Sequence, residues 1–78
     1  MELFSEIREM IAKLFAIDHE QVTENAHLQF DLGADSLALM NLAMAINKKY
    51  GLELLIDDFV ELESVGGLIS LVGSKIRT

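Results

Sequence analysis

The stretch that decides the fold runs from Asp31 to Tyr50 and reads DLGADSLALMNLAMAINKKY. From Ser36 onwards its apolar residues recur every three or four positions, which is the spacing of one face of an α-helix. We therefore predict a helix that begins at Ser36 and ends near Tyr50. The stripe expected to face the core comprises Leu39, Leu42, Ala43, Ile46 and Tyr50.

Both ends of this helix carry recognisable signals. Ser36 follows a turn that contains Gly33, and a serine at a helix start is by default an N-cap, whose hydroxyl accepts a bond from a free N–H group. Gly51 is a natural C-cap residue. Lys48 and Lys49 occupy the last turn, where the helix dipole favours cations.

Helical spacing also organises the sequence on either side. Apolar residues between Leu3 and Phe15 predict an amphipathic first helix of about four turns. A short third helix fits Asp57 to Leu62, with Asp57 or Ile56 near its start, and Ser64 can cap a fourth helix. The apolar positions that repeat in the fourth helix are Val65, Leu68, Ile69 and Val72. Gly66 and Gly67 each weaken that helix by about 1 kcal/mol relative to alanine, and close packing against another helix is the usual reason for such residues.

Residues 18–35 show no sustained period and are rich in polar side chains. We interpret them as a long ordered loop, and connections of this length are uncommon and often functional. The apolar residues expected to anchor this loop to the core are Val22, Leu28, Phe30 and Leu32. The predicted fold is all-α: a small four-helix bundle with a long loop between helices 1 and 2 and a short third helix. Residues 1–78 are expected to form a single domain.

Composition limits the possible functions. The net charge is −7, from thirteen acidic and six basic residues, and such a charge repels the phosphates of nucleic acids. There is no cysteine, which excludes disulfides and thiolate metal sites. No apolar run approaches the roughly 18 residues of a membrane span, and the N-terminus lacks the basic region of a signal peptide. We expect a cytoplasmic monomer that neither binds nucleic acid nor spans a membrane.

Histidine and methionine give no sign of catalysis. His19 and His27 lie eight residues apart in the long loop, without a spacing that would direct both at one metal ion, and we expect both to be solvated. Met10, Met40 and Met44 lie at core-like helical positions, where methionine usually fills gaps.

Neither glycine motifs nor acidic pairs in the sequence indicate an active site. The sequence has no phosphate-binding glycine motif of the nucleotide-binding types. Asp57-Asp58 and the pair Glu61 and Glu63 are typical of a solvated face rather than a catalytic dyad, although such clusters attract divalent cations weakly. We therefore predict no catalytic residue and no dedicated metal site.

Ser36 is the remaining candidate for chemistry, and two interpretations stay open. It can be a simple helix cap, or its hydroxyl can carry a phosphodiester stabilised by the free N–H groups and positive dipole of a helix start. Gly33 would leave room for an approaching enzyme, while the negative charges of Asp31 and Asp35 would attract a basic partner. No histidine or lysine adjoins Ser36 in the sequence to activate it, so any modification must be made by another enzyme.

The segment Asp31-Leu32-Gly33-Ala34-Asp35-Ser36-Leu37 resembles the attachment motif of bacterial acyl carrier proteins. The resemblance extends over essentially the whole chain, through loop residues Val22-Thr23 and Asn25-Ala26 and through apolar residues of the second helix. Those helix residues are Leu42, Met44, Ala45, Ile46 and Tyr50. The resemblance implies that Ser36 is the attachment site of 4′-phosphopantetheine, with Gly33, Asp35 and Leu37 as its flanking motif.

The resemblance also implies a function. A carrier of this family is not an enzyme: it holds acyl groups as thioesters for the synthesis of fatty acids, related lipids or secondary metabolites. Its partners would be a phosphopantetheinyl transferase and acyl-loading, elongating or acyl-transferring enzymes. Two alternatives remain: a carrier of aminoacyl, aryl or polyketide groups, and an unmodified helical interaction module in which Ser36 is only a cap.

One departure from the family pattern concerns the second helix, which is typically acidic in carriers of fatty acid synthesis. Here residues 37–50 contain no acid, and the usual proline before the third helix is replaced by Leu55. These differences indicate a specialised member with its own cognate enzymes. The residues expected to bind partners through mainly apolar contacts are Leu37, Ala38, Asn41, Met44, Ala45 and Lys48. Charge steering is expected from Asp31, Asp35 and residues 57–63.

Overall fold

The computed structural model describes residues 2–62 and 64–76. Its elements in chain order are α1 (Glu2–Phe15), a 3₁₀ turn (His19–Gln21), α2 (Ser36–Tyr50), α3 (Ile56–Val60) and α4 (Val65–Ile76). This part of the chain contains no strand, so the predicted all-α fold with four helices is confirmed. Within the same residues, no helix is long and apolar enough to cross a membrane.

The first two helices have the predicted apolar faces and clear end signals. In α1, Ile7 and Ile11 are completely buried, and the helix ends where Ala16 adopts a left-handed backbone with φ 56°. In α2, the stripe expected to face the core is buried as predicted, except that Tyr50 is half-buried. Gly51 ends α2 with φ 68°, a conformation that costs glycine little, and its N–H donates to the carbonyl of Asn47.

The long connection between α1 and α2 is ordered by inward-pointing apolar side chains. Val22, Leu28 and Leu32 are buried as predicted. Phe30 is not: 84% of its surface is exposed, so its prediction as a core anchor is wrong. Two small residues, Ala26 and Ala34, are buried in this connection instead, and their short side chains let the backbone lie close to the helices.

α3 is shorter than predicted, and it begins at Ile56, one of the two starts expected. Its first turn is held by Asp58, whose carboxylate accepts the N–H of Leu55 at 2.9 Å. The predicted extension to Leu62 is wrong, because the chain leaves the helix after Val60 and the N–H of Leu62 donates to Phe59 in a tighter turn. Phe59 is buried and fixes this short helix to the core.

α4 packs its start against the long connection. The hydroxyl oxygen of Ser64 accepts the N–H of Gly67 at 3.1 Å, which confirms Ser64 as a cap. The N–H of Gly66 donates to the carbonyl of Glu24 at 2.9 Å. A Cβ on Gly66 would lie 3.2 Å from that carbonyl oxygen. The close approach predicted at this glycine is therefore present, but against the loop backbone rather than against another helix.

Candidate functional site

Ser36 is the first residue of α2, and its side chain is exposed. The N-cap is the preceding residue, Asp35, whose Oδ1 accepts the N–H of Ala38 at 2.8 Å. The interpretation of Ser36 as the helix cap is therefore wrong. Because Asp35 does the capping, the Ser36 hydroxyl is left without a hydrogen-bond partner within residues 2–62 and 64–76.

The backbone around Ser36 offers donors to an anion. The first N–H groups of a helix have no acceptor inside the helix. Asp35 satisfies the N–H of Ala38, while the N–H groups of Ser36 and Leu37 have no acceptor among the residues described. Together with the positive end of the helix dipole, these donors suit an anionic group attached at the Ser36 hydroxyl.

The turn before α2 is held by its own backbone hydrogen bonds. The N–H of Gly33 donates to the carbonyl of Gln29, and the N–H of Ala34 donates to the carbonyl of Leu28. Gly33 has φ 73°, a conformation that favours glycine, and a Cβ there would meet nothing within 4 Å. Gly33 therefore allows the turn, and the space around it is open.

His27 and Asp31 fix the far side of the same turn. The N–H of His27 donates to Asp31 Oδ2 at 2.7 Å. The Nδ1 atom of His27 in turn accepts the N–H groups of Gln29 and Phe30, each at 3.1 Å. His19 is exposed as expected, but His27 is half-buried, so its prediction as a solvated loop residue is wrong.

The apolar side chains predicted for docking lie on the outer face of α2. Leu37 is 64% exposed and Met44 is 62% exposed. Met40, at 47%, is also exposed, so the gap-filling role predicted for Met40 and Met44 is wrong. Met10 does pack at the edge of the core.

The polar and small residues of the predicted docking set divide by exposure. Asn41 and Lys48 are exposed, whereas Ala38 and Ala45 are half-buried. Asp57 at the start of α3 is exposed, and Glu63 lies outside the described residues. Among those that are described, no group of three acidic or histidine side chains could hold a metal ion.

Two exposed apolar residues were not predicted from the sequence as candidates for docking. Met40 lies three residues after Leu37 and four before Met44, so helical spacing alone could have placed it on the outer face. Leu55 is exposed at the start of α3. Its neighbour Leu54 is hydrogen-bonded to the Asn47 side chain of α2, a tertiary contact that no local pattern encodes.

Comparison with known proteins identifies relatives over nearly the full length. Residues 5–72 match the family model described as the phosphopantetheine attachment site. The acyl carrier protein of Thermotoga maritima is 36% identical over 75 residues, covering 96% of this chain and 93% of its own. That of Lactobacillus johnsonii is 34% identical over 73 residues, covering 94% and 91%.

A solved structure of an acyl carrier protein from Enterococcus faecalis has the same fold. It superimposes with a TM-score of 0.78 at 27% identity and covers 95% of this chain and 94% of its own. The exposed Ser36 hydroxyl, with unpartnered N–H groups beside it, fits a covalently attached phosphodiester. The chain therefore belongs to the acyl carrier protein family, whose members carry acyl groups on covalently attached 4′-phosphopantetheine.

Proposed function

We propose that Ser36 is the residue to which 4′-phosphopantetheine is attached. The observation that carries the proposal is the exposed, unpartnered Ser36 hydroxyl at the first position of α2. The adjacent N–H groups of Ser36 and Leu37 stabilise the negative charge of a phosphodiester at that hydroxyl. Gly33, three residues before Ser36, has open space around it, and this favours access by an enzyme.

Loading requires a second protein. The Ser36 oxygen forms a bond to phosphorus while the pyrophosphate bond of coenzyme A breaks. The hydroxyl proton passes to a base on the phosphopantetheinyl transferase, and the adenosine bisphosphate half of coenzyme A leaves. Once attached, 4′-phosphopantetheine supplies the terminal thiol that holds an acyl group as a thioester.

The attachment is tested by intact mass after incubation with a phosphopantetheinyl transferase and coenzyme A. The wild-type chain should gain one phosphopantetheine mass, and Ser36→Ala should gain none. Ser70→Ala, which changes an exposed serine of α4, is the matched control and should load like the wild type. A mass gain in Ser36→Ala would overturn the assignment.

The enzymes that act on the loaded chain dock on the outer face of α2 through apolar contacts. Leu37 and Met44 provide its centre, because both are mostly exposed and no acid lies between residues 37 and 50. Lys48 and Asn41 lie at the rim, where polar contacts affect association rate more than affinity. Asp31, Asp35 and Asp57 provide any charge steering.

This docking face is tested by titrating the loaded chain with a cognate acyl-transferring enzyme at rising salt. We expect a shallow loss of affinity, since apolar contacts are not screened. Met44→Glu should weaken binding more than Lys48→Glu, because the first buries a charge in the apolar centre. A steep salt dependence with a harmless Met44→Glu would exclude α2 as the docking face.

The proposal extends to the cellular setting of the chain. We place the chain in the cytoplasm as a monomeric, single-domain carrier without enzymatic activity of its own. Its acid-free α2 differs from the acidic helix expected for a general fatty acid carrier. We therefore assign it to a dedicated set of enzymes in fatty acid synthesis or a related lipid or secondary-metabolite route.

A further inference from the structure

Phe30 is the most exposed of the large apolar side chains in the described part of the chain, at 84%. Single exposed apolar residues are common on protein surfaces. Phe30 differs from such residues because its ring is held in place by specific contacts, and because it lies in the turn that leads into Ser36. A fixed, exposed aromatic ring is typical of an anchor at a protein interface.

The contacts that hold Phe30 come from His27. The two rings stack with centroids 4.3 Å apart and planes inclined by 23°. The His27 ring is itself fixed, because its Nδ1 accepts the backbone N–H groups of Gln29 and Phe30. One face of the phenyl ring therefore rests on the imidazole, while the other is open to solvent. Such a ring loses little conformational freedom when a partner covers it.

Asp31 follows Phe30 in the chain and carries a negative charge. Its Oδ2 atom accepts the N–H of His27 at 2.7 Å. Its other carboxylate oxygen makes no hydrogen bond to any residue that the structure describes. Two consecutive residues of the turn thus provide an exposed aromatic ring and an available carboxylate oxygen, and a planar cation complements both.

The Phe30 turn is close to Ser36 along the chain. Gln29 precedes Phe30, and its carbonyl accepts the N–H of Gly33 at 3.1 Å. Ser36 is three residues further on, so chain geometry limits the separation of Phe30 and Ser36 to about 20 Å. A standard interface covers about 800 Å² on each partner, roughly 30 Å across. One interface of ordinary size can therefore include both Ser36 and the Phe30 turn.

We propose that Phe30 and Asp31 form a receptor for an arginine side chain of the phosphopantetheinyl transferase that loads Ser36. A guanidinium group stacks on an aromatic face and pairs with a carboxylate through the same planar group. A lysine ammonium, which is more strongly hydrated and not planar, satisfies this pair less well. This inference rests on Ser36 being the attachment site, because that assignment brings the transferase to this turn.

The test measures loading kinetics on the full chain with coenzyme A and a phosphopantetheinyl transferase, followed by intact mass. Phe30→Ala should raise KM about tenfold with kcat unchanged, the size expected for a lost cation–π contact at an interface. Phe30→Leu should behave like Phe30→Ala, whereas Phe30→Tyr should retain wild-type kinetics. Leu14→Ala, at an apolar residue of α1 that is 45% exposed, is the control and should change nothing.

Asp31→Asn provides the second arm, since an asparagine oxygen can still accept the N–H of His27. This variant should have a higher KM, and its KM should depend less on salt concentration than that of the wild type. The double variant Phe30→Ala, Asp31→Asn should lose less than the product of the two single effects, because one arginine contacts both residues. Thermal unfolding of each variant should match the wild type.

The outcomes separate this inference from the attachment itself. If the wild type loads on Ser36 and Phe30→Ala loads with the same KM, the arginine receptor is excluded and the attachment stands. If Phe30→Leu loads like the wild type, the contact is apolar rather than cationic, and the inference is wrong. If Ser36→Ala still gains mass, the attachment assignment fails, and this inference fails with it.

Discussion

Asn47 should be one of the most sensitive polar residues of the fold. Its side chain bridges α2 to the connection that leads into α3: Nδ2 donates to the carbonyl of Leu54 at 2.9 Å. The N–H of Leu54 donates back to Oδ1 at 2.8 Å. Leu54 is buried, so its backbone groups depend on this one side chain. We predict that Asn47→Ala strongly destabilises the chain.

The magnitude follows from these two bonds. Each is worth about 0.5–1.5 kcal/mol net, and a buried polar group left without a partner costs about 1–3 kcal/mol. The Asn47 site is only partly buried, so water can replace part of the loss, and alanine regains up to about 0.7 kcal/mol of helix propensity. We expect a net loss of about 2–3 kcal/mol, against a total of about 4–12 kcal/mol for a domain of this size.

The assay is urea and thermal unfolding followed by far-UV circular dichroism. A loss of this size lowers Tm by about 10–20 °C in a domain of this length. Asn41→Ala is the control, because Asn41 lies on the same helix but is exposed, and its effect should stay within about 0.5 kcal/mol. Equal stability of the two variants would refute the bridging role of Asn47.

Three further predictions concern the cap of α2, the titration of Tyr50 and the net charge. Asp35→Ala should cost about 0.5–2 kcal/mol in urea unfolding, since it removes the cap of α2, whereas Asp35→Asn should cost much less; an equal effect of the two would contradict capping. Burial, with a hydrogen bond to Glu6 and the charge of that residue, raises the pKa of Tyr50 above its ordinary value of 10.0. The folded chain therefore holds the phenol proton more tightly than the unfolded chain, and the stability gained is present below pH about 10 and is lost as pH rises beyond it. Tyr50 is the one tyrosine, so phenolate absorbance should titrate late in the folded chain and earlier in Glu6→Gln; an unshifted titration would contradict this. Finally, the net charge of −7 predicts a Tm that rises with salt or millimolar divalent cations, because screening or binding relieves repulsion; a constant Tm would show that repulsion is negligible.

The helices could be predicted from the sequence because their signals are local. In α2, the spacing of buried residues, the lysines of the last turn and Gly51 at the C-cap all act within a few residues of one another. Both bounds of α2 were therefore predicted correctly. The motif around Ser36 was also sufficient to identify the family, because it lies in a chain that resembles acyl carrier proteins throughout its length.

In the long connection between α1 and α2, the burial of individual apolar side chains could not be predicted from the sequence. The connection has no hydrophobic period. Nothing in its sequence therefore distinguishes buried Leu28 from exposed Phe30, because both are apolar residues in a polar stretch. The orientation of Phe30 depends on the His27 ring, which accepts two backbone N–H groups and stacks on the phenyl ring. Such contacts depend on the shape of the folded turn rather than on composition.

Tertiary hydrogen bonds were missed for a similar reason. Asparagine near a helix end is usually interpreted as a solvated residue, yet Asn47 binds a backbone segment seven residues away. Gly66 accommodates the carbonyl of Glu24, which lies in a distant part of the sequence. Only packing of the loop against the helices brings these groups together.

The central claim is that this acyl carrier protein holds its phosphopantetheine on Ser36. The most direct measurement is fragmentation mass spectrometry of the loaded chain, because the sequence offers five serines as acceptors: Ser5, Ser36, Ser64, Ser70 and Ser74. We predict that every fragment carrying the added mass contains Ser36 and that no modified fragment lacks it. Added mass on a fragment without Ser36, or a chain that a transferase active on a control carrier leaves unmodified, would contradict the account.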